Sequence, residues 1–136
     1  NKDKAIHLSA LDLARVGYLM LNEGRWEDKR LLDRSWVREA TSVQVPPALP
    51  THEPGAHGPG TYGYNWWVNG RGPDGLARWP AAPPQTFAAA GFSNNRCFVV
   101  PEWRSVVART GMAGEPDNVR GMWDRFFADL GHAIAE

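Results

Sequence analysis

The stretch "TFAAAGFSNNRCFVVPEWRSVVARTG", residues 86 to 111, limits what this chain can fold into more than any other. It holds three apolar runs, Phe87 to Phe92, Arg96 to Val100 and Ser105 to Thr110, separated by Ser93-Asn94-Asn95 and by Pro101-Glu102-Trp103-Arg104. Short runs rich in β-branched and aromatic residues, bounded by turn formers, predict strands. A parallel crossover needs a dozen or more residues, so links this short make the three strands antiparallel neighbours. The rest of the chain then has a sheet to cover.

Helical grammar at both ends supplies the cover. In "HLSALDLARVGYLMLNEGRW", Ser9 can cap the amide of Asp12 and Asp12 can answer it, Leu8 and Leu13 can form a hydrophobic staple, and Gly24 closes the end. The stripe Leu11, Ala14, Tyr18 and Leu21 is widened by Leu13, Val16, Leu19 and Met20, which predicts a helix buried on most sides. "LLDRSWVREATS" predicts a shorter helix capped by Asp33, with Leu32 and Val37 as staple and Trp36 and Ala40 turned inward. Near the end, Val119, Met122, Trp123, Phe126, Phe127, Leu130 and Ile134 fall at helical spacing on one side, suited to covering a sheet face. In "TYGYNWWVNG", Tyr62, Tyr64, Trp66 and Val68 alternate with Gly63, Asn65, Trp67 and Asn69, the pattern of a fourth strand. Residues 45–60 and 70–85 have no periodicity and read as long loops. The expected class is α+β: two N-terminal helices, an antiparallel sheet of about four strands and a covering C-terminal helix.

Composition narrows the function. At 136 residues one domain is expected, and fifteen basic residues against fifteen acidic ones give no general attraction to nucleic acid or anionic membrane. No apolar run reaches the roughly 20 residues of a membrane span. The first residue is Asn1 rather than Met, which suggests a piece of a longer protein and leaves the compartment open. Cys97, the single cysteine, can form no internal disulfide and lies in an apolar strand pattern, as buried filler does. His7, His52, His57 and His132 fit no metal-ligand spacing; His52 and His57 share a loop with Glu53, but solvated histidines are the plainer reading, and no metal or cofactor is expected. "GFSNN" fails as a nucleophile elbow, and no Gly-rich phosphate loop occurs. On an alternating strand Trp66 and Trp67 point to opposite faces, so one packs inward while Trp67, flanked by Asn65 and Asn69, can meet a ligand. Ser93-Asn94-Asn95 has two readings: a polar hairpin turn, which Asn favours by tolerating left-handed backbone, or one wall of a catalytic cleft.

Taken in order, "LSALDLARVGYLMLNEGRW", "KRLLDRSWVREAT", "YGYNWWVNG", "FAAAGFSNNRCFVVPEWRSVVARTG" and a closing amphipathic helix resemble the C-terminal half of serine β-lactamase-like hydrolases. That family comprises class C β-lactamases, penicillin-binding DD-peptidases and related esterases. The likeness runs from about Leu8 to the end. It implies a partial β-lactamase/transpeptidase-like fold over residues 1–136, with periplasmic or secreted parents. The family's Ser-x-x-Lys and Tyr-x-Asn motifs are absent, so the nucleophile lies in a missing N-terminal portion or a separately encoded half. Its third motif, Lys-Thr-Gly or His-x-Gly, aligns with Phe92, Ser93 and Asn94. Phe92 cannot attract a carboxylate, which leaves neutral esters or amides as the small-molecule substrates. The resemblance makes Phe92, Ser93 and Asn94 substrate-binding and the Asn95 backbone amide an oxyanion donor, and Trp67 joins the substrate-binding set from its polar-flanked place on the strand. By itself the chain is expected to be inactive. A reading from another class is a non-catalytic binding domain that reuses the fold and presents Trp67, Asn69 and Asn95.

Overall fold

The computed structural model describes residues 7–49, 58–111 and 119–135. Helix α1 (Ala10–Leu21) starts at the expected capping box: the Ser9 hydroxyl accepts the Asp12 amide at 3.1 Å and the Asp12 carboxylate accepts the Ser9 amide. It ends as Gly24, at φ +85, donates its amide to the Leu19 carbonyl at 2.9 Å. A Cβ there would sit 2.4 Å from the Leu32 carbonyl oxygen, so space and backbone both require glycine. The basic connection that follows is a small hairpin, β1 (Arg25–Trp26) with β2 (Lys29–Arg30). Helix α2 (Arg34–Ala40) begins where the Asp33 carboxylate accepts the Ser35 amide at 2.8 Å. Val37 and Ala40 are buried, but Trp36 is 44% exposed and does not turn inward. It lies at the edge of the Val37–Ala40 stripe, about 100° of helix from Val37 and about 40° from Ala40, and the short helix has one covered side.

Four antiparallel strands form the sheet in the order β3 (Trp67–Val68), β4 (Phe87–Ala90), β5 (Arg96–Val100) and β6 (Ser105–Arg109). The links between β4, β5 and β6 are short, as expected, and β4 and β6 stop one or two residues early. The fourth strand is reduced to two residues. Asn65 takes φ 59, the Gly63 amide donates to the Trp66 carbonyl and the Tyr64 amide to the Ala40 carbonyl. The chain folds back there so that Tyr62 bridges Trp67, and Tyr64 is exposed instead of sharing a face with Trp66 and Val68.

Alternation sorts the strand residues into two cores. On one face Phe87 and Val99 join Met20, Val37, Ala40, Trp66 and Val68. On the other, Ala88, Phe98 and Val100 pack with Trp79, Ala82 and two residues of α3 (Val119–Ala135), Trp123 and Phe127. The rings of Trp79, Trp123 and Phe127 lie 5.0, 4.6 and 5.0 Å from that of Phe98. The helical stripe is narrower than expected: Met122 and Ile134 are exposed, because the row around Phe98 receives only the middle of α3. The Val119 side chain lies outside those described. Helix α1 sits so near the sheet that a Cβ on Gly17 would meet Val106 Cγ1 at 2.6 Å and Cys97 Sγ at 2.7 Å. Its outer side is open, with Leu11 62% and Tyr18 50% exposed, so the expected burial on most sides is not met among the described residues. The sheet covers one flank of the helix, and no described element covers the other. Among the described residues no helix is long and apolar enough to cross a membrane.

Candidate active-site wall

The break at Ser93-Asn94-Asn95 is a tight turn over Phe92–Asn94, non-helical at Ser93, that joins β4 to β5. Ser93 (φ 55) and Asn94 (φ 58) are both left-handed. Such a conformation costs a residue with a Cβ roughly 1–2 kcal/mol, less for Asn than for Ser, and persists where surrounding structure holds it. Here the holding groups are numerous. The Gly91 amide donates to the Asn95 carbonyl at 2.9 Å. Arg96 donates through Nη1 to the carbonyls of Gly91 (3.0 Å) and Asn95 (2.9 Å), and Arg109 through Nη1 to those of Ser93 (3.4 Å) and Asn94 (2.9 Å). Trp123 Nε1 donates to Asn94 Oδ1 at 3.2 Å, and the Gly111 amide to Asn95 Oδ1 at 2.9 Å.

These contacts separate the roles of the turn residues. Asn94 is 7% exposed and aims its side chain at α3, with Nδ2 buried and unpartnered. Ser93 and Asn95 are half-buried, and the Phe92 side chain lies outside those described. Arg96 and Arg109 are direct cross-strand partners. Burial first, and the Arg109 charge second, lower the pKa of the Arg96 guanidinium from its ordinary value. Like charges directly opposite one another weaken a strand pair, and both guanidiniums also bind carbonyls of the turn.

Trp67 lies on the same sheet face as Phe98, half-buried. The Arg78 guanidinium is 3.8 Å from its ring centroid, and Tyr62 meets it edge-on at 4.6 Å. One face of the expected stacking platform is therefore covered by the protein's own cation. Asn69 brackets the loop over residues 70–85: Nδ2 donates to the carbonyls of Trp79, Ala82 and Pro83, and Oδ1 accepts the Trp79 amide at 2.7 Å. Cys97 is fully buried with Sγ 3.3 Å from the Leu13 carbonyl oxygen, and burial pushes its thiol up to about 11. A thiol that stays protonated at neutral pH is no nucleophile. His7 and His132 are exposed; His52, Glu53 and His57 lie outside the described residues, among which no three metal-ligating side chains converge.

Sequence reasoning passed over Arg96, Arg109 and Trp123. A signal for the first two was present, since a hairpin turned at residues 101–104 pairs position 96 with position 109. Trp123 carried none beyond its place on an apolar stripe.

No protein-family model matches this chain, nor does any curated protein. Solved structures do. A provisionally named 6-aminohexanoate-dimer hydrolase from Bacillus anthracis superposes with a TM-score of 0.62 at 21% identity, over 93% of this chain and 29% of its own. A provisionally named β-lactamase from Bacteroides dorei DSM 17855 gives 0.58 at 15% identity, over 93% of this chain and 40% of its own. The 136 residues thus have part of a β-lactamase-like fold, spanning well under half the length of these neighbours.

Proposed function

We propose that this chain is the C-terminal portion of a β-lactamase-related serine hydrolase domain, and that its part in the reaction is one wall of the acyl pocket. Support comes chiefly from the match of 93% of the chain to hydrolase structures, together with the left-handed turn at the β4–β5 junction. In this reading a serine on polypeptide outside these 136 residues attacks the carbonyl carbon of a small ester or amide. The alcohol or amine leaves, and water then hydrolyses the acyl-serine. As the carbonyl oxygen gains charge, the Asn95 amide donates to it, while Phe92, Ser93, the Asn94 backbone and Trp67 border the acyl group.

An oxyanion donor without a nucleophile performs no covalent chemistry. The purified chain is therefore expected to hydrolyse p-nitrophenyl acetate and nitrocefin no faster than a denatured control, and turnover clearly above it would overturn the division of labour. In the longer polypeptide, a fluorophosphonate probe should label a serine N-terminal to this region. A fully folded longer protein that takes no label would end the hydrolase reading.

A further inference from the structure

The turn over Phe92–Asn94 is held by more contacts than its own hairpin closure. Glycine adopts left-handed backbone without steric cost, yet positions 93 and 94 carry Ser and Asn at φ 55 and 58. What replaces glycine is a set of donors from three elements: Arg96 from β5, Arg109 from β6 and Trp123 from α3. The two guanidiniums together take the carbonyls of Gly91, Ser93, Asn94 and Asn95, each through a single Nη1. They do so while facing one another across the strand pair in a half-buried setting, where a like-charge pair is unfavourable. Donors that converge from two strands and a helix on one strained turn are suited to holding that turn's backbone in place.

We propose that Arg96 and Arg109 are positioning residues. Bound to the turn carbonyls from neighbouring strands, they hold Ser93 and Asn94 left-handed so that the amide of Asn95 keeps its aim at the acyl oxygen. This inference rests on the acyl-pocket reading above, and Trp123 acts as a third anchor through the Asn94 side chain. Because each anchor belongs to a different element, the turn is referenced to the sheet and to α3 at once.

Two measurements test it. In the 136-residue chain, Arg109→Met should speed amide exchange at Ser93, Asn94 and Asn95 at least tenfold while Phe98 and Val99 of β5 are unchanged. Arg109→Lys, which keeps a donor, should restore most of the protection. Trp123→Phe, which keeps the ring packing, should speed Asn94 severalfold. Wild-type exchange at the turn in Arg109→Met, or a uniform acceleration through β5, would overturn the clamp. In the longer polypeptide that takes the serine probe, Arg109→Met should lower kcat at least tenfold with KM within about twofold, and Lys should recover kcat. A change confined to KM, or no change, would leave the arginines purely structural and sink the positioning role. If no serine is labelled, the hydrolase reading and this role fall together, while the exchange result still decides whether the clamp exists.

Discussion

The two faces of the sheet are finished to different degrees. On the α3 side, Phe98 and Phe127 are wholly buried and three aromatic rings close around Phe98. On the α1 side, contact with the sheet is equally tight, down to a glycine at the closest approach, but the helix's far flank presents Leu11, Val16 and Tyr18 to solvent. The helix with the most legible start signal thus leaves an apolar flank open. Local sequence decides where a helix begins, whereas burial of its second flank depends on which other elements reach it. In the proposed whole domain, that flank is where the remaining polypeptide would pack.

Truncation on the finished side gives the largest expected effect. Phe127→Ala removes a fully buried ring against Phe98, Trp103 and Trp123 and should cost about 3–5 kcal/mol in urea or guanidinium unfolding. Trp36→Ala, on the open side, where the ring keeps 44% of its surface in solvent, should cost less, about 1–2 kcal/mol, despite deleting a larger group. Equal costs for the two would erase the contrast between the faces.

An intermediate effect is expected at the contact between α1 and the sheet. Gly17→Ala would ordinarily favour a helix by about 1 kcal/mol. Here the new methyl overlaps Val106 Cγ1 and Cys97 Sγ, short side chains packed within the core with little room to withdraw. Overpacking of that kind costs about 1–3 kcal/mol, so a net loss of about 1 kcal/mol in unfolding free energy, read from denaturant titration, is expected. A stabilised Gly17→Ala variant would mean that the helix rides higher on the sheet than this geometry has it.

What could be read from the residues alone follows the range of the interactions involved. The Ser9–Asp12 box, the Asp33 cap and the turn at residues 101–104 depend on neighbours within a few positions, and each is found where the residues place it. The α+β class follows from the same short links. Tyr64 departs from its expected face because its environment is set at a distance: it is drawn out by the Ala40 carbonyl and by Glu39, which accepts its hydroxyl at 2.9 Å. An alternating pattern contains no trace of that pull. At the candidate site, the turn at residues 93–95 was legible as a polar break, but its clamp was not. Arg96 and Arg109 read singly as ordinary strand-end cations, and their joint action emerges only once register places them opposite each other.

The smallest expected effect bears most directly on the open flank. Leu11 keeps 62% of its surface in solvent, so Leu11→Ser in the 136-residue chain loses little burial and a few tenths of a kcal/mol of helix propensity. Its unfolding midpoint should therefore move by no more than about 0.5 kcal/mol. In the longer polypeptide the same substitution should cost about 1.5–3 kcal/mol, the value of a leucine taken fully out of water. The difference between the two backgrounds, measured by paired urea titrations, reports how much of this flank the additional polypeptide covers. A small cost in both would place the outer side of α1 in solvent even in the complete protein, and the asymmetry between the faces would then belong to the finished fold rather than to a missing neighbour.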